Sequence, residues 1–206
     1  MVVHPRITGV VLAGGRAARM GGANKALLSL GTATTLEQIL AVFAGRFAGC
    51  VVVAPDPLPF MGLPVTLTSD RFPGCGPLGG VHAGLAAVKT GFAFVCGCDM
   101  PSLSGPLVDC MASRVRDGRL LVPIRRGRPE PLHALYPVSC LPDVEQALEE
   151  GVRMMLDFFA RTPVDYLSEE EYRGIEGAEA SFFNINTPED LEAARRASAI
   201  HGDPEA

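Results

Sequence analysis

Residues 12–25, Leu-Ala-Gly-Gly-Arg-Ala-Ala-Arg-Met-Gly-Gly-Ala-Asn-Lys, gather four glycines with Arg16, Arg19 and Lys25. Glycine lets backbone N–H groups approach a polyphosphate and point at it, while Arg and Lys supply positive charge. A triphosphate is the natural guest of such a segment. The spacing is neither G-x-G-x-x-G nor G-x-x-x-x-G-K-[ST], since no Ser or Thr follows Lys25, so a standard Rossmann or P-loop site is not supported. The plainer reading is a flexible loop with solvated charges. A second group with chemistry is Asp99, which follows the apolar run 92–98. One carboxylate there can hold Mg2+ while phosphate oxygens and water fill the remaining positions, or it can cap the following turn. Asp70 is a weaker second acid, equally suited to capping its own turn.

These residues need a frame. Residues 7–13 are a near-continuous β-branched run ended by Gly14 and Gly15, which reads as a strand buried on both faces. Thr34 and Glu37 form a capping box ahead of a helix expected over 35–47. Strands follow over 50–54 and 65–68, then a second flexible glycine loop, 73–80, and a helix beginning near Val81. Residues 92–98 read as a further buried strand, Ser104 as the cap of a helix to about Arg116, and 120–124 as a fifth strand before the basic turn 125–128. Alternating strands and helices predict an α/β doubly wound, mostly parallel sheet. Ligands of such sheets bind at the carboxyl ends of the strands, where residues 12–25 and Asp99 fall. Beyond this, 132–136 and 162–167 read as extended, and 143–159 as helical with a break near Gly151. Thr187-Pro188-Glu189-Asp190 reads as a helix start, giving a last helix over 188–198 and a flexible tail over about 199–206.

The 206 residues predict one domain, 1–206, without repeats. A net charge of -5 offers no general attraction to nucleic acid or anionic lipid, so any anion must be held locally. The apolar stretches are too short to span a bilayer, and the opening residues lack the pattern of a secretory signal, which predicts a cytoplasmic protein. None of the six cysteines is spaced C-x-x-C, and small buried apolar side chains are the plain expectation. His82 and His133 invite acid–base work but sit beside a glycine loop and in a strand. Arg125, Arg126 and Arg128 could grip a phosphate or be solvated, and Glu130 could touch a substrate.

Taken together, residues 12–25, Gly76-Pro-Leu-Gly-Gly80, Cys98-Asp-Met-Pro101, Pro129-Glu-Pro-Leu-His-Ala-Leu-Tyr136 and Phe183-Asn-Ile-Asn-Thr-Pro-Glu-Asp-Leu191 resemble, in order, the blocks of bacterial molybdenum cofactor guanylyltransferases, also called molybdopterin-guanine dinucleotide biosynthesis protein A. The resemblance covers nearly the whole chain. It implies the nucleotide-diphospho-sugar transferase fold and transfer of GMP from GTP to the terminal phosphate of molybdenum-bearing molybdopterin, with release of pyrophosphate. By the same resemblance Leu12, Ala13, Gly14 and Gly15 would contact GTP, Lys25 and Arg19 its phosphates, Asp70 the nucleotide, and Asp99 both nucleotide and Mg2+. The catalytic set would be Arg19, Lys25 and Asp99, with Asn184 and Asn186 at the pterin side and Arg153 matching a family arginine there. Transient contacts with cofactor-delivering and cofactor-accepting proteins are also implied. Where some members carry an Asn after the second strand, this chain has Val53-Ala54-Pro55, so that side-chain contact is missing. The rival readings are a cytidylyltransferase for the same cofactor, in which L-A-A-G is the usual opening, a sugar-1-phosphate nucleotidyltransferase, and a GTP-binding module without catalysis.

Overall fold

The computed structural model describes residues 2–14, 16–17 and 23–201. In chain order the strands and α-helices are β1 (Ile7–Leu12), β2 (Arg16–Ala17), β3 (Ala23–Asn24), α1 (Thr35–Phe43), β4 (Cys50–Val53), β5 (Thr66–Thr68), α2 (Gly76–Ala87), β6 (Phe92–Gly97), α3 (Gly105–Ala112), β7 (Leu120–Arg125), β8 (Arg128–Pro129), β9 (His133–Pro137), α4 (Leu141–Glu149), α5 (Met155–Phe159), β10 (Val164–Leu167), α6 (Glu169–Tyr172) and α7 (Pro188–His201). The main sheet runs β10-β7-β9-β6-β1-β4-β5, with β8 attached to β7, and β2 pairs with β3 in a separate ribbon. Within the main sheet β9 runs antiparallel to β6 and β7, and β8 antiparallel to β7; the other pairings are parallel. The architecture is the mostly parallel α/β sheet that the alternation of elements predicts.

β1 is central, and its residues divide between the two faces as period-2 geometry requires. Ile7 and Val11 join a core with Leu36, Ile39 and Phe43 of α1, whereas Val10 packs on the opposite side with Val81 and Leu85 of α2. Both helices lie close to the strand. A Cβ on Gly9 would come within 2.3 Å of the Phe43 ring, and one on Gly84 within 2.5 Å of Val10 Cγ1. Glycine is therefore what lets α1 and α2 approach the sheet on its two faces.

Several boundaries differ from the sequence expectation for identifiable reasons. The capping box is present, with Thr34 Oγ1 accepting from Glu37 N–H and the Glu37 carboxylate accepting from Thr34 N–H. α1 nevertheless stops at Phe43, because Ala44 caps it and Gly45 turns the chain at φ +70°. The segment 73–80 is a loop only as far as Cys75. Helix α2 starts at Gly76, and Gly79 and Gly80 lie inside it because small residues allow close packing there, against Asp70 and Leu12. The helical stretch near 143–159 is two helices, α4 and α5, separated where Gly151 takes φ +87°. α3 ends at Ala112 through the Ser113 N–H, and α7 continues to His201, so residues 199–201 of the expected tail are helical; the rest of it, 202–206, lies outside the described residues.

A third, small core matters for the site. Ile185, Leu191 and Ala194 pack with Leu30, so the start of α7 docks on the chain just after residues 25–27.

Gly9→Ala is expected to destabilise the fold by about 1–3 kcal/mol, because Phe43 is already packed against Phe47 and Phe94 and has no free space to yield. Urea unfolding of the variant against the native chain measures this; equal midpoints would show that α1 can move away from β1 without cost.

Candidate active site

A cleft of about 740 Å³ opens at the carboxyl ends of the parallel strands and is lined by Leu12, Gly14, Lys25, Ala54, Asp70 and Asp99, among others. Its place follows from topology. The chain leaves β1 through α1 to reach β4 on one side, and returns from β5 through α2 to reach β6 on the other. Ligands of open α/β sheets bind at such a reversal. Leu12 ends β1 opposite Val53 and Gly97, and beyond it Ala13 N–H donates to Val53 O at 2.8 Å and Cys98 N–H to Leu12 O at 3.2 Å. The sheet thus delivers Gly14 and Asp99 to the same edge.

Lys25 is fixed at both ends. Its carbonyl accepts from the buried Thr35 hydroxyl at 2.5 Å, and Asn24 Oδ1 accepts from Ala26 N–H at 3.0 Å, capping the short turn that Lys25 opens. Its Nζ donates to Asp99 Oδ2 at 2.9 Å and to Asn186 Oδ1 at 2.7 Å. The ion pair is sheltered, with the Lys25 and Asp99 side chains 12% and 24% exposed. Gly97 leaves the room this needs, since a Cβ there would lie 2.6 Å from Asp99 Oδ1. Asp99 also accepts through its backbone carbonyl from Ile185 N–H at 2.9 Å, which ties the Asn184–Asn186 block to the strand end.

Asp70 lines the cleft, and its Oδ1 accepts from Phe72 N–H at 2.7 Å, so it holds its own turn. Ala54 is buried against the cleft and its N–H donates to Thr68 O, so neither its side chain nor its N–H replaces the missing Asn contact. The two asparagines separate. Asn186 reaches the ammonium of Lys25, whereas the amide of Asn184 lies 3.5 Å from Phe182 O. Gly15 and Arg19 lie outside the described residues.

Other polar groups are occupied elsewhere. Arg153 Nη1 donates to Leu148 O and Val152 O, closing the end of α4. Arg125 is no solvated cation: Nη1 donates to Phe182 O at 2.6 Å and the guanidinium stacks on the Phe182 ring. Burial pushes the Glu130 carboxyl up, and the nearby Arg125 charge opposes the shift. Arg126 and Arg128 remain exposed. His133 is buried between Phe94 and Phe182, with Nε2 2.7 Å from Ser181 Oγ, which itself accepts from Ser104 N–H. His82 is buried edge-on to Phe72, and burial pushes its pKa down against the pull of Glu145. Burial raises the Cys50 thiol to about 11 and Cys140 to about 12, and also pushes Cys96 up, which fits their reading as small apolar side chains.

The arrangement therefore offers the ammonium of Lys25, the carboxylates of Asp99 and Asp70 and the neutral amide of Asn186 at the cleft. An ammonium in such a cleft is chemically suited to phosphate oxygens. The comparisons with known proteins bear on the family. Residues 9–164 match the family model described as MobA-like NTP transferase domain. The molybdenum cofactor guanylyltransferase of Desulfosudis oleivorans is 33% identical over 192 residues, covering 93% of this chain and 95% of that one. That of Mesorhizobium japonicum is 37% identical over 202 residues, covering 92% and 95%. The chain belongs to the molybdenum cofactor guanylyltransferases. The solved structure of molybdopterin-guanine dinucleotide biosynthesis protein A from Archaeoglobus fulgidus superposes with a TM-score of 0.79 at 28% identity, covering 94% of this chain and 99% of that one. Membership makes the protein a nucleotidyltransferase of molybdenum cofactor biosynthesis with the nucleotide-diphospho-sugar transferase fold. It does not favour the rival readings.

What local sequence reasoning missed is the company of Lys25. Thr35 was visible only as a helix residue, and Asn186 was expected at the pterin side, not on the Lys25 ammonium. The buried histidine yields a test of stability. Burial lowers His133 from 6.5 to about 4, so the folded chain keeps it neutral while the unfolded chain takes up a proton as pH falls through 6.5. Its contribution to stability is complete above 6.5 and is lost between 6.5 and about 4, by roughly 3 kcal/mol. Urea unfolding from pH 7 to 4.5 is expected to show this fall, and His133→Asn to flatten it; parallel slopes would mean that His133 does not set the acid limb.

Proposed function

We propose that this chain transfers GMP from GTP to the terminal phosphate of molybdenum-bearing molybdopterin, forming the guanine dinucleotide and pyrophosphate, with Mg2+ as cofactor. The observation that carries the reading is Lys25, held at the strand-end cleft between Asp99 and Asn186. The names of the relatives give the donor base and the acceptor.

The acceptor phosphate is its own nucleophile. A phosphate monoester has its second pKa near 6, so an oxyanion is available at neutral pH and no side chain must remove a proton. What the chain must supply is alignment of two anions and relief of charge on the α-phosphate and departing pyrophosphate. Lys25 is suited to neutralise phosphate oxygens, with Arg19 as a second cation and Gly14 and Gly15 as open backbone. Leu12, Ala13 and Asp70 would line the nucleotide's place. Asn184 and Asn186 would face the acceptor.

The donor chemistry fits a hard cation. No group of three or more His, Cys, Asp or Glu side chains is assembled to hold a metal among the described residues. A cleft carboxylate suits Mg2+, which keeps waters and takes substrate phosphates as ligands. Asp99 would hold the ion, which when bound supplies further positive charge at the phosphates. The Asp99 carboxylate otherwise keeps the Lys25 ammonium in place, so the same side chain organises both positive centres.

The reaction is read as cytoplasmic, supported by six free thiols, which suit a reducing compartment. No helix among the described residues is long and apolar enough to cross a membrane. Cofactor-delivering and cofactor-accepting proteins would meet the enzyme transiently, because a labile cofactor is best passed by contact.

The deciding assay incubates the purified chain with molybdenum-loaded molybdopterin, Mg2+ and either GTP or CTP, and quantifies pyrophosphate and dinucleotide. Product with GTP alone is expected. Product with CTP would overturn the base assignment, and GTP binding without product would overturn catalysis. Lys25→Ala and Asp99→Ala are each expected to lower kcat by about 10²–10³-fold with the circular dichroism spectrum of a folded protein. Near-native turnover of Asp99→Ala with Mg2+ would remove the metal assignment.

A further inference from the structure

The match to the nucleotidyltransferase family model ends at residue 164, yet the ammonium in the cleft is held by Asn186. That asparagine is exposed, and an exposed amide ordinarily samples several rotamers. Here the backbone on either side of it is fixed. Before it, Ile185 is fully buried and donates its N–H to Asp99 O at 2.9 Å. At and after it, the N–H groups of Asn186 and Thr187 both donate to Asp190 Oδ2 at 2.9 Å, and Asp190 N–H donates to Thr187 Oγ1 at 3.2 Å. The small core of Leu30, Ile185, Leu191 and Ala194 joins this segment to the chain following Lys25.

A lysine ammonium has three N–H donors. Two are taken, by Asp99 Oδ2 and Asn186 Oδ1, which leaves one for an anion in the cleft that Lys25 lines. The two partners act differently. Asp99 attracts by charge, and with that partner alone the ammonium would be free to swing about a single anion. Asn186 fixes the direction with a neutral amide, while the Asp190 carboxylate behind it also senses the Lys25 charge, at longer range than the hydrogen bond.

We propose that Asp190 is a positioning residue for phosphate transfer: through the N–H of Asn186 it orients the amide oxygen that, together with Asp99, aims the Lys25 ammonium into the cleft. The inference rests on the reading of Lys25 as a phosphate ligand given above. It makes the start of α7 a working part of the site, although that helix lies outside the segment matched by the family model.

The chain itself provides a readout independent of activity, because it has two lysines, Lys25 and the exposed Lys89. Acetylation with a soluble active ester, followed by peptide mass spectrometry, gives the Lys25 rate relative to Lys89 as an internal standard. Lys25 is expected to label more slowly than Lys89 in the native chain. Asp190→Ala is expected to raise the ratio and to lower kcat for GMP transfer, each by about tenfold, with a smaller change in KM for GTP. Asp190→Glu, whose carboxylate reaches the same N–H groups from the same helix position, should restore both. In a Lys25→Ala background, Asp190→Ala should cost no further activity. Asn186→Ala leaves the Asp190 bonds intact and should raise the labelling ratio alike, which keeps the test valid if Asp190→Ala fails to fold. Unchanged labelling in either folded variant, or losses that multiply in the double variant, would overturn the proposal. Labelling as expected without GMP transfer by the native chain would instead sink the functional reading and leave the positioning of Lys25 standing.

Discussion

The ammonium of Lys25 lies between one charged and one neutral acceptor, and most of the fold's particular features can be traced to what that requires. A sheltered cation without partners is costly, and a cation tightly bound to two carboxylates would be poorly available to an anionic ligand. One carboxylate and one amide satisfy both demands. They come from residues 74 and 161 positions away in the chain, so the site exists only when the end of β6 and the start of α7 meet the turn after β3. The buried Thr35 hydroxyl on the Lys25 carbonyl and the N–H of Ile185 on the Asp99 carbonyl tie these three segments by their backbones. In a chain of net charge -5 any cation offered to an anion has to be placed locally, and this convergence is what places Lys25.

Close approach is the second requirement, and the glycines supply it at places where flexibility is not the point. Gly97 stands where a side chain would collide with the Asp99 carboxylate, and Gly79 where one would collide with that of Asp70. Gly80 packs on Leu12, at the cleft itself. Helix α2 therefore serves as a wall pressed against the strand ends, and the acids are held by the absence of bulk beside them as much as by their hydrogen bonds. The turn fixed by Asp70 on Phe72 N–H carries the phenyl ring that packs on His82, so the same wall continues into the core.

Much of this frame was legible in the sequence, for physical reasons. Strands buried on both faces, such as β1, β4 and β6, must be apolar throughout, and their runs stand out from the glycines and prolines that end them. Helix starts with local hydrogen-bond chemistry, Thr34 with Glu37 and Thr187 with Asp190, were equally clear, because partners three residues apart leave a local pattern. The glycines at 79 and 80 misled, since the same residue signals a loop or a close helix–sheet contact and only the neighbour across the gap decides. Arg125 misled in the same way: a run of arginines at a turn looks solvated, but its guanidinium has a carbonyl and an aromatic ring to dock on, 57 residues on. The site itself was legible as two clusters at one sheet edge. The bond that joins Lys25 to Asn186 was not, because no periodicity encodes a contact between side chains so far apart in the chain.

The titratable groups bear on how such a site can work. His133 is buried and held neutral in a bond with Ser181, His82 is buried against Phe72, and burial pushes the thiols of Cys50, Cys96 and Cys140 upward. Each is occupied by packing rather than presented to the cleft. Neither these histidines nor these thiols are placed as a general base, which must lie within hydrogen-bond reach of its proton. A phosphate nucleophile makes no such demand. Its difficulty is repulsion between anions, and on the proposed reading that difficulty is met by a cation held between two acceptors and by a carboxylate suited to a hard cation. Among the described residues the site is thus built for electrostatic placement, with these histidines and thiols committed to packing.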